Sequence, residues 1–191
     1  MAERTKIGMS LDEFISRFEE QPFELINGEM WNMTPAKKKH SKISKRLYDR
    51  LLFHLVDNDL GEVFFESAFI IEDVSDWVSG SRIPDVMFYE KSRFDAHDKD
   101  NPDDDGKPFI LVPDLVVEVI SPSDKYSDVT TKVDAYLKDG VKLIWIVDPQ
   151  RKTIAVYEGS DSPRTLRVDD TLTGANILPD FETAVKEIFL N

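Results

Sequence analysis

At 191 residues, 41% of them hydrophobic and three of them Trp, the chain carries enough apolar surface for one well-cored domain and too much for a disordered one. Its formal net charge of -13 argues against broad electrostatic capture of nucleic acid, leaves room for a local basic cleft, and provides many carboxylates for a divalent cation. The absence of Cys excludes disulfides, thiolate metal sites and Cys nucleophiles, and no apolar run has membrane-spanning length, so a cytoplasmic protein with no membrane partner is expected.

Ser10-Leu11-Asp12-Glu13-Phe14 has the form of a helix start, with Ser10 as N-cap and Glu13 as its capping-box partner. Leu11, Phe14, Ile15 and Phe18 give that helix an apolar face, which Pro22 ends. Asn27-Gly28 between two apolar runs predicts a two-residue hairpin. Glu24 then lies in the first strand, where a lone Glu ordinarily faces solvent. Phe14, Phe18 and Trp31 are candidates for an exposed apolar surface that pairs two copies in a homodimer.

A longer helix is predicted from the Lys37–Lys42 region to about Asp59, with Ile43, Leu47, Leu51 and Leu55 repeating every fourth position. Its opening holds Lys37, Lys38, Lys39, Lys42, Lys45 and Arg46, the densest basic cluster of the chain. That cluster is either a solvated helix face or a phosphate-contacting patch. His40 within it is either a surface histidine or a ligand or phosphate contact. Residues 62–72 read as one strand, 73–80 as a turn, and 82–89 as the next strand, with Pro84 at its start. Residues 90–113 read as a long acidic connection, in which Asp103-Asp104-Asp105 is a solvated charge run.

The run Leu115–Ile120 is short, rich in β-branched residues and bounded by Pro113 and Pro122, which predicts a buried strand. Glu118 interrupts it. A buried carboxylate is costly unless it is paired, hydrogen-bonded or bound to a metal. Ser121 to Asp124 provides turn and N-cap chemistry for a helix that stops at Gly140. A hairpin of 143–147 with 153–157, an edge strand near 165–168 and a terminal helix over 181–190 complete the pattern, with no linker dividing residues 1–191.

Pro-Asp precedes a strand twice, at Asp85 and Asp114. Asp114 and Glu118 share a strand, about 13 Å apart at roughly 3.3 Å per residue, too far to share one ion. Asp85 is the better partner. If its strand runs antiparallel to that of Glu118, the two face each other at about 5 Å, which suits a hard cation with oxygen ligands. On the following helix, Val129, Val133 and Tyr136 mark an apolar stripe that also includes Lys132. Lys132 is either a snorkelling side chain or a cation aimed at the carboxylates, able to orient a water or stabilise charge on a phosphate.

These pieces resemble the PD-(D/E)XK nuclease superfamily, and more closely its Uma-type restriction endonuclease branch, domain-of-unknown-function family 820. The resemblance is carried by Phe23–Glu29, His40, Arg82–Val86, Asp114–Ser123, Lys132–Tyr136, Gly140-Val141, Trp145–Pro149 and Leu178–Phe181, nearly the whole chain. It implies an α/β (α+β) fold with a restriction-endonuclease-like core: a mixed central sheet flanked by helices, with an amino-terminal helix and β-hairpin. It further implies a Mg2+- or Mn2+-dependent endonuclease acting on DNA. Asp85 and Glu118 would be metal ligands, Lys132 and Glu24 further catalytic members, and His40, Lys39, Lys42 and Ser121 substrate contacts. One departure is that Ile120 stands where the superfamily expects its lysine, which Lys132 would replace from the helix. The competing expectation, favoured by Ile120 and by the acidic charge, is a non-catalytic module that retains the fold and binds nucleic acid or protein.

Overall fold

The computed structural model describes residues 8–102, 106–122, 124–159 and 162–190. Asp103-Asp104-Asp105 lies outside them. In chain order the elements are β1 (Met9–Ser10), α1 (Leu11–Glu20), β2 (Phe23–Ile26), β3 (Glu29–Asn32), α2 (Lys38–Asn58), β4 (Gly61–Phe65), β5 (Phe69–Val74), β6 (Trp77–Arg82), β7 (Val86–Glu90) and α3 (Lys91–Asp100). Then come β8 (Leu115–Val119), α4 (Tyr126–Asp139), β9 (Leu143–Asp148), β10 (Thr153–Glu158), β11 (Arg164–Leu166), β12 (Thr171–Gly174), β13 (Leu178–Ala184) and α5 (Val185–Ile188).

The central sheet is mixed and six-stranded, ordered β11-β10-β9-β8-β7-β4. Only β8 and β9 run parallel within it, connected through α4. Side chains alternate across a strand, and β8 sorts its residues accordingly. Leu115, Val117 and Val119 pack toward Ile43, Leu47, Leu51 and Leu55 of α2. Val116 packs on the other face with Met87, Tyr89 and the α4 residues Val133 and Tyr136. Glu118, two residues on, shares that second face.

A second sheet, ordered β1-β6-β2-β3 with β5 also on β6, is built around the amino-terminal hairpin. Asn27 and Gly28 both take positive φ (52° and 83°), as a type I′ turn requires. Phe23 and Leu25 pack with Phe14 of α1 on one face of this sheet. Ser10 caps α1, accepting the Glu13 amide at 3.3 Å. Phe14 is fully buried here, with its ring 5.2 Å from Phe23, so it is removed from the candidate dimer surface.

Four expected elements differ. The strand expected over 62–72 is two strands in two sheets: Glu66 turns the chain with φ 47°, so β4 joins β7 while β5 joins β6. The turn expected over 73–80 tightens to a hairpin, leaving Trp77–Arg82 as strand. The connection over 90–113 contains α3, which buries no residue and so offers no apolar stripe to read. Phe181 lies in a strand, because β12 supplies a partner for β13 and delays the last helix to Val185. Among the described residues no helix is long and apolar enough to cross a membrane.

Candidate active site

β7 and β8 are antiparallel, with Val86 opposite Val117 and Met87 opposite Val116. Continuing that register by one residue sets Asp85 level with Glu118, on the face covered by α4. Asp85 is buried and held at both oxygens. The Val119 amide donates to Oδ2 at 2.6 Å, and His40 Nε2 lies 2.5 Å from Oδ1. His40 reaches it from the first turn of α2. Burial opposes charge on the imidazole, but the adjoining Asp85, with Glu118 and Glu66 nearby, raises its pKa above the usual value.

Lys132 comes from α4. Its Nζ lies 2.8 Å from Glu24 Oε2 and 3.1 Å from Glu118 Oε1. Burial alone would discharge this ammonium, yet the two carboxylates hold its pKa above the ordinary lysine value. Glu24 is 2% exposed, so the solvent-facing position expected of a lone strand glutamate is corrected. Its other oxygen accepts the Ile83 amide at 3.0 Å, which ties β2 to the segment just before Asp85. Glu118 has its carboxyl pushed up to about 7 by burial, with Glu24 and Asp85 adding to the rise and Lys132 opposing it.

Glu24, His40, Asp85, Glu118 and Lys132 therefore converge from five elements or their edges. The remaining expected contacts have other partners or face solvent. Lys39 donates to the Pro149 carbonyl at 2.7 Å, Lys42 is exposed on α2, and Ser121 follows β8 with its amide bound to Asp124 Oδ2 at 2.7 Å. Asp114 lies at the opposite end of β8, paired with Arg93 and Lys142.

Two contributors were not anticipated. Tyr136, read as a core residue, donates its hydroxyl to Glu118 Oε1 at 2.5 Å while its ring stays fully buried. Its place one turn beyond Lys132 on the same stripe was the available signal. Arg82 forms a buried ion pair with Asp139 at 2.7 Å and donates to the Leu25 carbonyl at 2.6 Å. It thereby fastens the end of α4 to the hairpin sheet, and so sets Lys132 against Glu24.

The donor set suits a hard cation. Three carboxylates face one lysine and one histidine, and the Glu118 carboxyl is raised first by its burial and then by the neighbouring Glu24 and Asp85. Among the described residues no group of three or more His, Cys, Asp or Glu side chains is placed to hold a metal ion. Magnesium is commonly held by one or two carboxylates with water and substrate phosphate completing its octahedron, so Asp85 and Glu118 fit that mode.

A mixed sheet with helices on both faces, carrying this carboxylate pair at one end of its central strands, defines a restriction-endonuclease-like α/β fold. The family model "Uma2: Putative restriction endonuclease" matches residues 11–186, and the chain belongs to that family. Among solved structures the chain is similar to a putative nuclease belonging to domain-of-unknown-function family 820 from Anabaena variabilis ATCC 29413. The two share 22% identity with a TM-score of 0.76, over 95% of this chain and 97% of that one. No curated protein matches the chain.

Proposed function

We propose that the protein is a divalent-cation-dependent nuclease, acting in the cytoplasm as one domain and hydrolysing phosphodiester bonds in DNA. The observation that carries this reading is the meeting of Asp85 and Glu118 on adjacent strands with Lys132 from the helix that follows. Asp85 and Glu118 would hold Mg2+ or Mn2+. A cation held there would polarise the phosphoryl group and make a water a better nucleophile. His40 and the Val119 amide fix the Asp85 carboxylate. Glu24 holds Lys132, whose ammonium orients a water or offsets charge growing on the phosphate. In this reading Lys39, Lys42 and Ser121 would be the contacts to the nucleic-acid backbone. The alternative of a non-catalytic module rests on Ile120 and on the net charge of -13. Lys132 beside Glu118 supplies the missing cation from another element and favours the enzyme.

Cleavage of plasmid and single-stranded DNA, with Mg2+ or Mn2+ against chelator, tests the reading. Mn2+ is expected to raise the melting temperature by binding the native state only, and Asp85→Ala is expected to lose both that shift and cleavage. A wild-type protein that neither responds to Mn2+ nor cleaves would refute it. Pairing of two copies, through a surface that leaves Trp31 uncovered, belongs to the same proposal, since it would present two sites to two strands; a monomeric mass at micromolar concentration would remove it.

A further inference from the structure

The hairpin sheet has two unlike faces. Phe23 and Leu25 point toward α1, while Glu24 points toward Lys132. In the hairpin register Glu24 lies directly opposite Trp31. Directly opposed residues of an antiparallel pair project to the same face, with Cβ atoms about 5 Å apart. Trp31 therefore stands on the face of the carboxylate–lysine cluster, next to Glu24.

Its surroundings are unusual for a tryptophan. Trp145 is fully buried in the main core and stacks on Phe181, whereas Trp31 remains partly exposed and belongs to none of the three apolar cores. It sits on β3, the outermost strand of its sheet, whose other residues are exposed. The chain then runs through exposed residues 33–37 straight into the start of α2. There Lys37, Lys38, Lys39 and Lys42 are exposed, and His40 touches Asp85. One continuous stretch thus borders the acidic centre with an indole and then with lysines.

We propose that Trp31 is a base-stacking residue, and that the site takes an unpaired nucleotide: single-stranded DNA. The inference rests on the nuclease reading for what happens to the strand, but not for its binding. A lysine row follows phosphates, and an indole beside it takes the flat face of a base. A base inside a duplex has both faces occupied by its neighbours and cannot use that surface. The order indole, carboxylates, lysines along the border gives the strand a path, with a base on Trp31 and the adjoining phosphates running toward α2.

The experiment is a titration with 12-nucleotide oligothymidylate and with a duplex of the same length, in Ca2+ buffer, followed by tryptophan fluorescence. Stacking on Trp31 quenches emission from the wild-type protein, and that quench is absent in Trp31→Phe. Trp31→Ala is expected to weaken oligothymidylate binding roughly 10- to 100-fold while duplex binding changes little. Trp31→Phe, which keeps a smaller ring, recovers part of the loss. No quench in the unmodified protein, or an equal loss on duplex and single strand, overturns the inference. Wild-type cleavage of plasmid in Mg2+ together with undiminished oligothymidylate binding by Trp31→Ala overturns it and leaves the nuclease reading standing. Loss of oligothymidylate binding in Trp31→Ala with no cleavage by the wild type under any cation supports the stacking role and removes the nuclease.

Discussion

Replacing Lys132 by Met keeps most of its stem and removes its charge, which leaves Glu24 and Glu118 facing each other without a cation. Glu24 is 2% exposed, Glu118 13% and Lys132 21% by side chain. Removing one partner of a buried pair costs about 3–5 kcal/mol, and the remaining solvent contact of Lys132 places this case near ~3 kcal/mol. The cost depends on pH in a defined direction. Burial and the neighbouring carboxylates raise the Glu118 carboxyl to about 7 even with Lys132 opposing them, so in the variant it rises further. A carboxyl with a raised folded-state pKa loses stability as pH climbs from its unfolded value through its folded one. The gap between wild type and Lys132→Met therefore widens above about pH 7 and narrows at pH 6, where Glu118 is largely neutral in both. Urea unfolding in chelator across pH 6–9 measures it, and Glu118→Gln in the Lys132→Met background is expected to restore most of the loss. In Mg2+ the folded variant is expected to turn over far more slowly while its Mn2+ thermal shift persists. A loss below about 1 kcal/mol with a flat pH profile would refute the placement of Lys132 between two charged groups.

Tyr136→Phe removes a hydroxyl bound to a largely ionised carboxylate above pH 7, so a loss of about 1.5–3 kcal/mol is expected there in urea unfolding, falling toward about 1 kcal/mol at pH 6. Asp114 offers an opposite pH signature away from the site. Burial pushes its carboxyl up, but the Glu90 amide, Lys142 and Arg93 outweigh it and hold the carboxyl below its usual range. That stabilisation is present above about pH 4 and is lost as pH falls through the folded value. Asp114→Asn is expected to lower stability by about 1–3 kcal/mol at pH 7 and by progressively less as pH falls through the folded value.

Local chemistry announced the elements that carry Asp85, Glu118 and Lys132. Pro84-Asp85 and the run around Glu118 are short patterns that fix strands by themselves, and Asn27-Gly28 fixes its hairpin through φ angles few other pairs adopt. Lys132 was legible because a charge on an apolar stripe conflicts with its neighbours. Glu24 was legible only through the family resemblance and not from its own strand: its burial depends on α4 docking over β2, a contact between residues far apart in the chain. The same distance concealed the Tyr136 hydroxyl, since a buried ring reads as core whether or not its oxygen has a carboxylate to meet. α3 escaped because a helix with no buried side chain has no periodicity to display, and β13 because only β12 makes Phe181 part of a strand.

The distribution of the cluster along the chain bears on biosynthesis. Glu24, His40, Asp85 and Glu118 all leave the ribosome before Lys132, and β9, the parallel neighbour that flanks Glu118, emerges later still. At roughly 5–20 residues per second the chain beyond Lys132 takes on the order of several seconds to synthesise. Throughout earlier elongation the nascent polypeptide contains these acids without the ammonium that pairs with two of them in the folded site. A transcript cut short anywhere before α4 yields a product that lacks both Lys132 and the Tyr136 hydroxyl. Incomplete translation thus produces a polypeptide in which Glu24 and Glu118 have no lysine to pair with.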